Sequence, residues 1–377
     1  MDACDVLIVG GGPAGSSCAW GLRHSGLDVV ALDRQVFPRD KICGGWITPR
    51  VLAALEIDPA EYARDSVLQP ITGFRVGKIG GDAIETRYGR PVSYGIRRCE
   101  FDDFLLKRSG ARLRLGEGLT SLKHSGGRWV ANDEVQARML VGAGGHFCPV
   151  ARLTGAKTGG EAAVVAQETE FEMDAEQRAV CQVRGDTPEL YFCVDMKGYG
   201  WCFRKGNYLN IGLGRADPHR LSAHVAEFLG FLKSAGRISF EAPQLRGHAY
   251  LLYGTSTRTA AGDGVVLIGD AAGLAYPHSG EGIWPAVDSA LFAAKSIVAA
   301  KSPPGTTHRP VPQSDTGVPG ENPKAFGRTL VKELGKMTPY PRYKGCSLAR
   351  GSRRESALAT VYQKHRTLPT RKRMYRV

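Results

Sequence analysis

The chain has 377 residues, is 42% hydrophobic and carries a formal net charge of +13; this is the size and composition of a globular protein with two lobes, not of a disulfide-stapled miniature. Nine cysteines are scattered without a C-x-x-C pair, which argues against a disulfide framework or a zinc site and for a reducing cytoplasm. Residues 301–377 hold 17 Lys+Arg against 4 Asp+Glu, and subtracting these from the totals of 50 and 37 leaves 33 of each for residues 1–300, so the basic excess says nothing about the body of the protein, and no nucleic-acid partner is expected.

Asp2 and Asp5 stand where a secretory signal would be basic, so no leader is expected. No run of about 18 apolar residues predicts a membrane span. Residues 5–9 form an apolar run ending in glycines and predict a buried parallel strand. Residues 13–24 predict a helix and residues 28–33 a second strand, which together make one βαβ unit. Further buried-type strands are predicted at 139–143 and 264–269, and a helix at 283–300. Between them, residues 163–171, 189–195, 199–204 and 208–213 are rich in Val, Tyr, Phe and Trp and predict antiparallel strands.

The expected fold is therefore mixed α/β: a Rossmann-like dinucleotide-binding domain with an inserted antiparallel-sheet substrate domain. The nucleotide domain is discontinuous, drawn from residues 1–75, 97–155 and 255–300, with residues 76–96 and 156–254 in the second domain. Residues 301–377 contain 9 of the 21 prolines and read as a poorly ordered basic tail; the functional alternative for it is contact with an anionic membrane surface.

The strongest motif is G-x-G-x-x-G at residues 10–15. Gly10 permits the tight turn, Gly12 lets backbone approach a pyrophosphate, and Gly15 lets the helix that starts at Pro13 and Ala14 pack against the strand. Helix-terminal amides then face the phosphates. Asp33 closes the next strand, 18 residues after Gly15, where a carboxylate accepts from an adenosine ribose; Arg34 adjoins it. Downstream, Gly269 and Asp270 end a strand. The Pro277-His278-Ser279-Gly280-Glu281-Gly282 segment then opens a helix at Ile283. An aspartate there suits a ribityl hydroxyl. The amides of residues 280–283 suit the pyrimidine edge of a flavin, whose reduced form is anionic.

These residues, with Lys41-Ile42-Cys43-Gly44-Gly45, an Arg98-containing segment of form R-x-x-F-D-x-x-L and Tyr199-Gly200-Trp201-Cys202-Phe203, resemble the geranylgeranyl reductase family, within the flavoprotein group of para-hydroxybenzoate hydroxylase. The resemblance spans about residues 5–300 and implies non-covalent FAD, with Lys41, Cys43, Gly44, Gly45 and Arg98 beside it. Tyr199, Trp201 and Phe203 share one strand face and would wall an apolar substrate pocket. His278, Glu281 and Cys43 are the candidates for proton or redox work; no metal is expected. Two departures stand out: Arg204 replaces the proline that usually follows Tyr-x-Trp-x-Phe, and Gly144-Gly145 stands where relatives have Asp-Gly, which counts against direct NADPH use.

The resemblance implies an FAD-dependent oxidoreductase that reduces C=C bonds of an isoprenoid-like substrate by hydride transfer from reduced flavin, fed by NAD(P)H or a small redox protein. The alternatives are a flavin-dependent monooxygenase of the same fold and a non-catalytic FAD-binding protein. A cytoplasmic location, peripheral to a membrane through the tail, follows from the same reading.

Overall fold

The structure is a computed structural model that describes residues 1–157, 161, 163–256, 258–277 and 279–301. His278 and the tail from residue 302 onward lie outside the described residues.

Strand Asp2–Val9 is buried from Val6 to Val9, as a strand covered on both faces must be. It pairs in parallel with Val29–Asp33 on one side and Val135–Gly142 on the other. Arg112–Leu115 and Val265–Leu267 extend the parallel set outward, and Ala261–Gly262 closes the far edge antiparallel. With the hairpin Leu122–Ser125 and Arg128–Ala131 leaning on Val135–Gly142, the sheet has eight strands.

Helix Pro13–Leu22 begins with proline directly after Gly12 and is almost wholly buried. It lies against helix Ile283–Lys301, closely enough that a Cβ on Gly21 would stand 2.8 Å from Ala294 Cβ. That second helix is long and apolar enough to cross a membrane by length and composition, but half of its 18-residue window is buried inside the protein. Its apolarity is that of a core helix: Val287, Ala290, Ala293, Ala294 and Ile297 are all buried.

The second sheet has seven strands in the order Arg246–Leu251, Ala163–Glu172, Tyr208–Arg215, Gly198–Lys205, Glu189–Phe192, Gly73–Lys78, Ala83–Arg87. It is antiparallel except where Glu189–Phe192 runs parallel to Gly73–Lys78. Those two strands come from distant chain segments, so no hairpin forces them antiparallel. Gly73–Lys78 belongs to this sheet entire, across the boundary expected at 75/76, whereas Ser93–Ile96 joins Trp46–Ile47 and Leu68–Ile71 in a separate three-stranded sheet.

Alternation divides the second sheet into two faces. Cys202, Leu209, Ile211 and Leu213 pack with Val225, Phe228 and Leu232 of helix Leu221–Ser234. The other face carries Trp201, Phe203, Lys205, Glu168 and Asn210, and meets the loop at residues 43–45.

Candidate functional site

The glycines of the elbow are required for different reasons. Gly10 has φ +117°, and a Cβ on it would lie 2.4 Å from the Ala143 carbonyl oxygen; a Cβ on Gly15 would lie 1.8 Å from the Gly10 carbonyl oxygen. The fold itself demands both. Gly12 differs, because a Cβ there meets only Arg39 Nη2, at an ordinary 3.4 Å. The protein's own packing leaves this room open in front of a helix whose first turn has no side-chain cap. Such a cradle fits a pyrophosphate.

Arg39 strengthens the fit. Its Nη2 pairs with Asp102 at 3.0 Å, while its Nη1 is buried without a partner. A phosphate oxygen would satisfy it. Arg98 stands one step behind: it is buried, makes a two-pronged bond to fully buried Asp102 at 2.8 and 2.7 Å, and also bonds the Cys43 side chain. Arg98, expected beside the cofactor, shares Asp102 with Arg39, a residue the sequence reading missed.

Asp33 Oδ2 accepts the Gly11 amide at 2.6 Å and Oδ1 accepts the Gln35 amide at 2.8 Å, so this carboxylate also fixes the elbow. Arg34 is exposed beside Gly118.

The late segment is seated on the same elbow. Gly269, at φ +58°, comes so near helix Pro13–Leu22 that a Cβ on it would stand 3.1 Å from Ala14 Cβ. Its amide donates to Ser289 Oγ at 3.0 Å. Arg258 holds the turn from behind, donating to the Ala271 and His146 carbonyls at 2.9 Å while Glu161 neutralises it at 2.7 Å. Asp270 Oδ1 faces Gly282, and Gly280, at φ +67°, faces the Tyr250 hydroxyl. Burial raises the Asp270 carboxyl, opposed by Lys41, Arg98 and Arg258. Burial also pushes Glu281 up to about 7 against the pull of Arg50, and Glu281 Oε1 is buried without a partner. A carboxyl poised there is able to hold a proton near neutrality. Ile283 is buried at the head of its helix.

Lys41 is not the free surface lysine its type suggests. Its Nζ lies 3.3 Å from the His248 ring, and burial, then Arg98, lowers its pKa. Burial and Lys41 push His248 down to about 3, so at neutral pH the imidazole is uncharged and able to accept from the ammonium.

Cys43, Gly44 and Gly45 rest on the front of the second sheet. A Cβ on Gly44 would lie 3.4 Å from the Phe203 ring and 3.6 Å from Trp201 Nε1; Gly45 has φ +61° and faces the Ile96 carbonyl. Phe203 meets Trp46 edge-on at 5.6 Å, and Trp46 stacks on Phe74 at 5.0 Å. Trp201 is buried with its indole N–H donated to Asn210 Oδ1 at 2.7 Å, so it is as much a strut as a wall. Tyr199 lies beside it, ring centroids 5.9 Å apart. Glu168 and Asn210, both buried, bond the Cys43 backbone. Sequence reasoning missed both.

Comparison with known proteins bears on what this arrangement does. Residues 8–58 match the NAD(P)-binding Rossmann-like domain family. The chain is 31% identical over 324 residues to the menaquinone reductase of Mycobacterium tuberculosis, covering 78% of this chain and 77% of that one. It is 28% identical over 315 residues to the geranylgeranyl diphosphate reductase of Rhodobacter capsulatus, covering 78% and 75%. The crystal structure of a geranylgeranyl bacteriochlorophyll reductase-like protein from Thermoplasma acidophilum shares the fold, with a TM-score of 0.69 at 21% identity over 89% of this chain and 84% of that one.

Proposed function

Since the chain belongs to the geranylgeranyl reductase family of FAD-dependent oxidoreductases, we propose that it reduces carbon–carbon double bonds in the prenyl tail of an isoprenoid lipid. The observation that carries this reading is the meeting of Gly44 with the Phe203 ring and the Trp201 indole. The backbone loop that resembles the family's flavin-facing turn opens directly onto an aromatic face. Such a face suits an apolar chain and offers a polar headgroup little.

When bound and reduced by the electron donor, FAD would supply the hydride that the reduction needs. The chain's own residues do the rest. The room at Gly12 and the free Nη1 of Arg39 receive the pyrophosphate. The amides opening helix Ile283–Lys301 favour negative charge at the ring's pyrimidine edge. Glu281 holds a proton near neutrality at that end. Phe203 and Trp46 exclude water from the aromatic side. Relatives named for menaquinone and for geranylgeranyl diphosphate share an isoprenoid tail, and that tail is the element we assign to this chain. Electrons come from NAD(P)H at the same face or from a small redox protein. The described cysteines are all free, in keeping with work in the cytoplasm at the surface of the membrane that holds the lipid.

The test is direct. The purified protein should be yellow and release FAD on denaturation. After anaerobic reduction it should add two hydrogens to a prenyl lipid, seen by mass spectrometry. Trials with NADH, NADPH and a reduced ferredoxin or flavodoxin identify the donor. An oxygenated product formed only in air would replace this reading with a monooxygenase; a colourless protein that no FAD reconstitutes would end it.

A further inference from the structure

The Cys43 backbone is gripped at both of its polar groups by side chains of the second sheet. Its N–H donates to Glu168 Oε1 on strand Ala163–Glu172, and its carbonyl accepts from Asn210 Nδ2 at 3.4 Å on strand Tyr208–Arg215. Both residues are buried, at 4% and 0% exposure. Each is itself fixed. Trp201 Nε1 donates to Asn210 Oδ1 at 2.7 Å, and Asn210 Nδ2 reaches Glu170 Oε2 at 3.3 Å. Glu170 is paired with Lys205, a fully buried lysine that also donates to the Ile96 carbonyl at 2.9 Å. Gly212 leaves the indole its place, since a Cβ there would stand 2.3 Å from the Trp201 ring.

Stability alone does not account for this array. Buried ions lose their hydration, and well-packed apolar residues of the same volume often do as well or better. What a satisfied polar network supplies is a unique geometry. Here that geometry converges on the backbone of one residue, Cys43, in the loop that the family resemblance sets beside FAD.

We propose that Glu168 and Asn210 are positioning residues that clamp the Cys43 backbone on both sides of its Cα and thereby set the placement of the 43–45 loop against bound FAD. Trp201 serves the clamp by orienting Asn210, which gives the central aromatic of Tyr-x-Trp-x-Phe a task besides lining a pocket. The clamp stands on geometry alone; its catalytic consequence rests on the reductase reading above.

The experiment compares the full-length wild type with Glu168→Leu, Glu168→Gln and Asn210→Ala. One readout is the alkylation rate of Cys43 by iodoacetamide, followed by peptide mass mapping with and without FAD. The other is the visible spectrum and midpoint potential of bound FAD. Glu168→Leu and Asn210→Ala should speed Cys43 alkylation by about ten-fold, the worth of one buried hydrogen bond, and shift the flavin spectrum and potential. Glu168→Gln keeps an acceptor for the Cys43 amide and should restore both. Wild-type alkylation and spectrum in a folded Glu168→Leu protein would overturn the clamp, as would a Glu168→Gln protein that behaves like the leucine variant. If Glu168→Leu does not fold, Asn210→Ala applies the same test from the carbonyl side. Alkylation of the FAD-free protein decides the clamp independently of whether the protein proves to be a reductase.

Discussion

The Tyr199 hydroxyl donates to the Ser279 carbonyl at 2.6 Å, tying the aromatic strand of the second sheet to the loop that precedes helix Ile283–Lys301. The bond spans two parts of the proposed site. Removing it in Tyr199→Phe keeps the ring beside Trp201 and frees the loop. The expected cost is about 1 kcal/mol, read as several-fold weaker FAD binding in a fluorescence titration of apoprotein. Unchanged affinity would show that the loop holds its place without the tyrosine.

Gly12 and Gly15 should separate binding from folding. A side chain at Gly12 meets only Arg39, so Gly12→Val should leave the melting temperature of the apoprotein nearly unchanged and prevent FAD loading. A Cβ at Gly15 collides with the Gly10 carbonyl at 1.8 Å, so Gly15→Ala should lower stability by about 2 kcal/mol or more, with or without FAD. A yellow Gly12→Val protein would contradict the placement of the pyrophosphate.

Arg39 offers the phosphates a charged donor that the folded chain leaves without a partner. Arg39→Met preserves much of its bulk, and Asp102 retains the two bonds from Arg98. Loss of one charge-assisted hydrogen bond is worth about 1.5–3 kcal/mol, so FAD should bind roughly 10- to 100-fold more weakly while the apoprotein unfolds at nearly its usual temperature. A large loss of stability without FAD would mean that Arg39 serves the fold instead.

What the sequence disclosed follows from where the constraints act. Gly10 and Gly15 are required by backbone contacts within one βαβ unit, so a local motif announces them. Tyr199, Trp201 and Phe203 share a face because strand periodicity is local too. Arg39 was invisible because it sits in a loop and takes its meaning from Asp102 on a helix far along the chain. Glu168 and Asn210 matter only through register: Phe203 pairs with Asn210, while Glu168 and Trp201 both pair with Gly212. That register brings their side chains under the 43–45 loop, and no local pattern states it. The parallel pairing of Glu189–Phe192 with Gly73–Lys78 was hidden for the same reason.

Glu168 also makes a prediction about pH. Burial pushes its carboxyl from 4.5 up to about 7, with Glu170 adding to the rise and Lys205, the Cys43 amide and Lys41 pulling against it. The folded protein therefore keeps this proton up to about pH 7, whereas the unfolded chain releases it near 4.5. The resulting stabilisation is complete below about pH 4.5 and is lost as pH rises through about 7, an amount on the order of 3 kcal/mol for a displacement of this size. Glu168→Gln cannot titrate and removes that slope. Relative to wild type, its unfolding free energy in urea should improve from pH 5 to about pH 7 and level off by pH 8, where folded and unfolded chains have both released the proton. Glu281, raised to about 7 by burial near Arg50, adds a slope of the same sign, so the double variant with Glu281→Gln should be flatter still. A difference between Glu168→Gln and wild type that stays constant across this range would mean that Glu168 is already ionised in the fold at pH 5, held so by Lys205 and the Cys43 amide.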